Sequence, residues 1–164
     1  MVILVMGATG SGKTTVGTLL AGRLGWHFLD ADDLHSAANR DKMHRGVPLT
    51  DEDRAPWLAA IHEELLRRNE RDENVVLACS ALKQKYRDVL SADLNFTVVF
   101  LRATETQLRH NLAVRTNHFA GENLIPSQLA ALEEPSGAID LDASLTPDQI
   151  VADICARLGP AVQP

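Results

Sequence analysis

Short apolar runs recur along the chain, and segments of helical spacing separate them. Val2-Ile3-Leu4-Val5-Met6 is continuous and β-rich, as expected of a strand covered on both faces. Beyond a glycine loop, Val16, Leu19, Leu20 and Leu24 recur at helical spacing, and Gly25 suits the end of that helix. Trp26 to Leu29 predicts a second strand that stops at Asp30. Residues 33–46 predict a helix ending at Gly46-Val47-Pro48. Thr50 is an N-cap with Asp53 three positions on, and it opens a helix whose stripe is Trp57, Leu58, Ile61 and Leu65. Asn74 to Cys79 predicts a third strand, with Ser80 capping the helix that follows. Phe96 to Leu101 predicts a fourth strand, and 104–114 a helix. Residues 116–137 are polar, carry no strand signal and are broken by Pro126 and Pro135. A helix fits Pro126 to Glu133, with the proline in its first turn. Ala138 to Leu141 predicts a fifth strand, and Thr146-Pro147 opens a last helix with Ile150, Val151, Ile154, Cys155 and Leu158 on one face. Strands alternating with helices predict an α/β fold, a parallel sheet with helices on both faces.

Composition narrows the class. The 164 residues fit one domain, without repeat or linker, and 45% hydrophobic with 23% charged residues is ordinary for a soluble globular protein. A net charge of −6 argues against general binding to a nucleic-acid backbone, though not against small anions held by a local basic cluster. No run reaches the roughly 20 apolar residues of a membrane span, and the first strand lacks a basic leader, so the expected location is cytoplasmic. Cys79 and Cys155 have neither disulfide-framework nor metal-type spacing and are expected to be buried structural thiols.

The chemistry begins at Gly7-Ala8-Thr9-Gly10-Ser11-Gly12-Lys13-Thr14, a complete phosphate-binding loop between a predicted strand and a predicted helix. Glycines let the backbone turn so that successive N–H groups face phosphate oxygens, and the helix N-terminus adds partial positive charge. The lysine brings a full charge to the outer phosphates, and the threonine hydroxyl suits Mg²⁺. No Asn-Lys-x-Asp guanine-reading motif accompanies it, which lowers a switch-type GTPase reading.

Asp30 and Asp32 follow the second strand, at the strand end where open parallel sheets bind ligands. If that segment stays extended, the two carboxylates share a face. One can then help order Mg²⁺ and the other can accept a proton from an attacking hydroxyl. Asp33 reads as a cap or surface residue. Three segments supply cations near this edge: His35 and Lys42 with Asn39, then Arg54, then Ser80, Lys83 and Arg87, whose i, i+3, i+7 spacing fits one helix face. Their convergence calls for an acceptor with its own anionic group, most simply a carboxylate.

These stretches carry a family likeness. Phe28 to His35, Asn39 to Met43, Gly46 to Leu58, Cys79 to Asp88, Arg115-Thr116-Asn117-His118-Phe119 and Leu132 to Pro135, with the phosphate loop, resemble the gluconokinases of the thermoresistant type, relatives of shikimate and adenylate kinases. The resemblance covers about residues 2–158. It implies transfer of the γ-phosphate of ATP to the 6-hydroxyl of D-gluconate, with Mg²⁺, giving 6-phosphogluconate. It implies one P-loop kinase domain over 1–164, a five-stranded sheet in the order 2-3-1-4-5, and a mobile lid at about 115–136. Gly7, Ala8, Thr9, Gly10, Ser11, Gly12, Lys13, Thr14 and Thr15 would hold the nucleotide, with Thr14 and Asp30 at the metal. Asp32 would be the base, with Lys13 and Arg115 stabilising the phosphoryl group in transfer. Asp32, His35, Lys42, Arg54, Ser80, Lys83, Arg87 and His118 would hold gluconate. Relatives often form dimers, so a homodimer is an expectation, although no surface stripe establishes it.

The lid departs from the family pattern. Asn111 stands where an arginine is usual, Asn117 where glycine is usual, and Leu129-Ala130-Ala131 where Phe-Glu-Thr is more common. Two rival readings remain open: a kinase of another small carboxylated polyol such as shikimate, or a nucleotide-binding regulator without turnover. The former lacks shikimate kinase's Gly-Gly-Gly, because Cys79-Ser80-Ala81 occupies that place.

Overall fold

Strand β1 (Val2–Met6) exposes no residue because helices cover both of its faces. Val2, Leu4 and Met6 point into one core cluster and Ile3 and Val5 into the other, so the period-2 pleat divides a continuous apolar run between two cores. The computed structural model describes residues 1–114 and 122–159. Within them, α1 (Lys13–Leu24), β2 (His27–Asp30), α2 (Ala37–His44) and α3 (Asp51–Asn69) lead to β3 (Val75–Ala78) and α4 (Gln84–Ser91). β4 (Phe96–Arg102), α5 (Glu105–Ala113), α6 (Ile125–Ala131), β5 (Ile139–Asp142) and α7 (Pro147–Leu158) complete the order. The five strands pair in parallel as β2-β3-β1-β4-β5, with Val2 in register with both Val75 and Phe96.

The first core lies under α3 and α4, where Trp57, Leu58, Ile61, Leu65, Tyr86 and Leu90 meet the sheet. The second lies under α1 and α7, where Val16, Leu20 and Leu24 meet Ile150, Val151 and Ile154. A third, smaller cluster of Ala8, Leu108, Leu112 and Ile125 seats α5 and α6 against the phosphate loop. Among the described residues no helix is long and apolar enough to cross a membrane.

Several expectations are corrected. Leu19 is 41% exposed, because α1 turns it away from the sheet that buries Val16 and Leu20. The helix expected over 33–46 is two elements: a 3-10 turn, Ala31–Leu34, and then α2, capped by Ser36 accepting from the Asn39 N–H. Ser80 caps nothing, since α4 begins four residues later at Gln84 with Lys83 in the cap position. Ser80, Lys83 and Arg87 therefore do not share a helix face. Cys79 is buried and free as expected, and burial pushes its thiol up to about 12. Cys155 is free but only half-buried. The capping boxes at Thr50 and Asp53 and at Thr146 and Gln149 are both formed, and Gly25 ends α1 in the left-handed region.

Candidate active site

All five strands run the same way, so the loops after β1, β2 and β3 open on one edge. The phosphate loop leaves β1 there. At Gly7, φ is +153° and an added Cβ would lie 2.6 Å from Ser11 Oγ and 2.8 Å from the Leu101 carbonyl. At Gly10, φ is +82° and a Cβ would lie 2.9 Å from the Leu108 carbonyl. No other residue type fits either position without displacing backbone, so the glycines are a packing requirement and not loose hinges. Lys13 Nζ donates to the Ala8 carbonyl at 3.0 Å, which holds its charge over the loop. Asn111, the departure from the family pattern, donates through Nδ2 to the Gly10 carbonyl at 2.9 Å.

Asp30 joins two segments. Its Oδ2 accepts from the Thr14 hydroxyl at 2.8 Å, and its Oδ1 accepts from the Asp32 N–H at 3.1 Å as the cap of the 3-10 turn. The chain is therefore not extended past Asp30, and Asp30 and Asp32 do not share a strand face. Instead the turn swings Asp32 into the cleft. Trp57 sets that turn, for its Nε1 donates to the Ala31 carbonyl at 2.7 Å and its ring stacks on His35 at 4.1 Å between centroids. A residue read from sequence as core thus also positions the acidic turn.

The protein packed around the cleft raises the pKa of Asp32, Lys13 pulls it back, and the Asp30 and Asp33 charges raise it again. Its carboxylate is 75% exposed, so water reaches it directly and tempers the burial contribution. His35 is different. It is 5% exposed, and burial, then the charges of Arg54 and Arg40, lower its pKa to about 4. It is neutral at physiological pH, with Nε2 3.8 Å from Asp32 Oδ1.

One cleft brings together Thr9, Lys13, Asp32, His35, Arg54, Ser80 and Lys83. Arg54 is fixed by the Leu49 carbonyl, and its guanidinium lies 5.6 Å from the centre of the Tyr86 ring, with Lys83 at 5.7 Å and Lys85 at 5.8 Å. A single carboxylate, Asp51, accepts from Lys83, Lys85 and the Tyr86 hydroxyl, and these contacts hold its pKa far below the usual range. The rim therefore keeps an excess of positive charge.

Two expected site residues lie elsewhere. Lys42 places Nζ between both oxygens of Asp53, at 2.7 and 2.8 Å. Arg87 is 3% exposed and donates to the Ala81 and Leu82 carbonyls and to Gln84 Oε1. It braces the loop after β3, where Ala81 holds a φ of +40°. Arg115 and His118, and the start of the expected lid, lie outside the described residues. Asp51 and Tyr86 were not among the expected site residues, although they lie within Gly46 to Leu58 and Cys79 to Asp88. Asp51 reads as one of three acids in the first turn of α3, where the helix dipole accounts for acidic residues without any site.

A second cleft lies across the phosphate loop. Ser11, Gly12, Thr15 and Val16 form one wall, His110 and Asn111 of α5 another, and Ser144, Leu145 and Pro147 a third. The Thr14 hydroxyl and Asp30 carboxylate are hard oxygen donors of the kind Mg²⁺ takes. Among the described residues no three or more His, Cys, Asp or Glu gather as a metal cage, so this pair suits a cation shared with substrate phosphates.

Comparison with known proteins fits this geometry. Residues 2–135 match the family described as AAA domain. A gluconokinase of Gluconobacter oxydans is 44% identical over 93% of this chain and 88% of its own. The chain belongs to the gluconokinase family. A probable gluconokinase of Rattus norvegicus is 47% identical over 82% of this chain and 83% of its own. The crystal structure of a gluconokinase from Sinorhizobium meliloti superposes with a TM-score of 0.87 at 42% identity, covering 98% of this chain and 92% of that one. Gluconokinase family membership carries with it the P-loop kinase fold and an ATP-dependent kinase activity.

Proposed function

We infer that this chain transfers the γ-phosphate of ATP to the 6-hydroxyl of D-gluconate, giving 6-phosphogluconate and ADP. The observation that carries this reading is a single cleft that joins Lys13 and Asp32 to the cationic rim of Arg54 and Lys83. A phosphoryl donor, a base and a carboxylate-binding rim face one space, as an acidic polyol acceptor requires.

In this reading the loop from Gly7 to Thr15 holds the phosphates, and the cleft across the loop takes the base. Mg²⁺, when bound by Thr14 and Asp30, supplies charge neutralisation across the phosphates. Asp32 orients the 6-hydroxyl and accepts its proton. Arg54 and Lys83 hold the carboxylate, and Ser80 and neutral His35 offer hydrogen bonds to the hydroxyl chain. Arg87 and Lys42 act from behind the cleft wall, as positioning residues. Arg115 and His118 keep the lid roles that the family likeness implies, within one kinase domain in a cytoplasmic setting. Binding energy gathered along the acceptor then fixes the in-line geometry.

A coupled ADP-release assay over a panel of sugar acids and neutral polyols tests the reading. Gluconate should give the highest kcat/KM, with shikimate and uncharged polyols far slower. ADP release that gluconate does not accelerate would overturn it and leave a regulator without turnover.

A further inference from the structure

Gln128 on α6 lines the acceptor cleft beside Thr9, Lys13 and Arg54. Its Oε1 accepts the Thr9 backbone N–H at 2.7 Å. A backbone N–H only donates, so this bond decides which end of the carboxamide is oxygen. The Nε2 amino group is thereby turned away from Thr9, carrying two donors, and it has no hydrogen-bond partner among the described residues. Nor is it one of the buried unpartnered atoms, which are Ser11 Oγ, His35 Nδ1 and His62 Nδ1. Nε2 is therefore not sealed from solvent, on a residue that forms the wall of the cleft.

Two other neutral polar groups of that wall are already engaged, while Ser80 and His35 remain for other hydroxyls of the acceptor. The Tyr86 hydroxyl donates to Asp51, and the Ser127 hydroxyl donates to the Leu124 carbonyl at 2.9 Å. The charged groups divide by task, with Arg54 and Lys83 suited to a carboxylate and Asp32 to a hydroxyl proton. A polyol also presents hydroxyl oxygens that accept, and beside the phosphate loop a neutral donor suits them without fixing an extra charge near the transferred phosphoryl group.

We propose that Gln128 is a specificity-determining residue, whose Nε2 donates to a hydroxyl of the acceptor at its reacting end while Oε1 anchors the side chain to the phosphate loop. This rests on the gluconate reading above. The variants Gln128→Glu and Gln128→Met separate the two halves of the carboxamide. Gln128→Glu keeps an oxygen for the Thr9 N–H and replaces the donor with an acceptor. Gln128→Met removes both at similar length.

Steady-state kinetics of ADP release, with gluconate and ATP varied in turn, reads the outcome. Both variants should raise the KM for gluconate about 3- to 10-fold or more, the scale of one hydrogen bond, with the KM for ATP held within about twofold. Thermal melting of each variant checks that it is folded. A wild-type gluconate KM in Gln128→Glu would overturn the proposal and reduce the residue to a clamp on the loop. A rise confined to the KM for ATP would also overturn it, placing the contact on the donor side. If the wild-type protein itself releases no ADP with gluconate, the underlying reading fails and the proposal falls with it. An active wild type beside an unaffected Gln128→Glu sinks this proposal alone.

Discussion

The Thr14 hydroxyl donates to Asp30 Oδ2 at 2.8 Å, linking the first turn of α1 to the end of β2. Sixteen positions separate the two residues in the chain, and the parallel pairing of β2, β3 and β1 brings them to one edge. The pair is an oxygen site already assembled, with Asp30 additionally holding the turn that carries Asp32.

Asp30→Asn should weaken the use of Mg²⁺. The amide retains an oxygen for the Thr14 hydroxyl but lowers the charge beside the cation. The Mg²⁺ concentration for half-maximal rate should rise by about 10- to 100-fold, the usual effect of disturbing a metal's supporting groups. A Mg²⁺ titration of the initial rate measures it. An unchanged midpoint would leave Asp30 as the cap of its turn and nothing more.

Asp32→Asn should lower kcat by about 10²- to 10⁴-fold and change the gluconate KM little, as loss of a general base does. The wild-type profile carries a sign. A base must be ionised, and the surrounding protein raises the Asp32 pKa. The acid limb of kcat should therefore fall away at a higher pH than a free aspartate would give. A limb at or below that of a free aspartate, or a variant whose only defect is in KM, would make Asp32 a positioning group.

His35 predicts a pH effect on stability. Folding holds its pKa at about 4, while the unfolded chain takes up a proton near 6.5. The unfolded state thus binds more protons between these values, and stability falls as pH drops through that window. At about 1.4 kcal/mol per pH unit the loss is at most roughly 3 kcal/mol. Urea unfolding at pH 7.5 and pH 5 measures it, and His35→Phe should shrink the difference. Equal pH sensitivity in the two proteins would remove His35 as the cause.

Arg87→Met should act on stability before catalysis. The guanidinium is buried and bonded to two carbonyls, one of them at Ala81 with its left-handed backbone. Its loss should cost about 2–4 kcal/mol of unfolding free energy, because charged hydrogen bonds are removed and buried acceptors are left unpaired. Urea unfolding alongside gluconate KM checks this. A large rise in KM with stability intact would mean that Arg87 touches the acceptor directly.

Much of the architecture was legible along the chain. Apolar runs marked β1 and β3, because a strand covered on both faces must be apolar throughout, and the phosphate loop is a contiguous motif whose chemistry is local. Thr50 with Asp53 was equally legible, since a capping box spans only one helical turn. The turn after β2 was less so. Asp30 caps a 3-10 element there, and the Trp57 indole, from a helix beginning twenty residues later, holds it in place.

Local spacing settled the central strands, the Thr50 cap and the phosphate-loop groups, because those properties depend on neighbours within a few positions. Which cations face the cleft depended on partners far along the chain. Lys42 is neutralised by Asp53, Arg87 is buried beneath the loop it braces, and Asp51 gathers Lys83, Lys85 and Tyr86 from more than thirty residues away. A charge in a sequence has no partner until the chain folds, and the partner decides whether it remains available to a substrate.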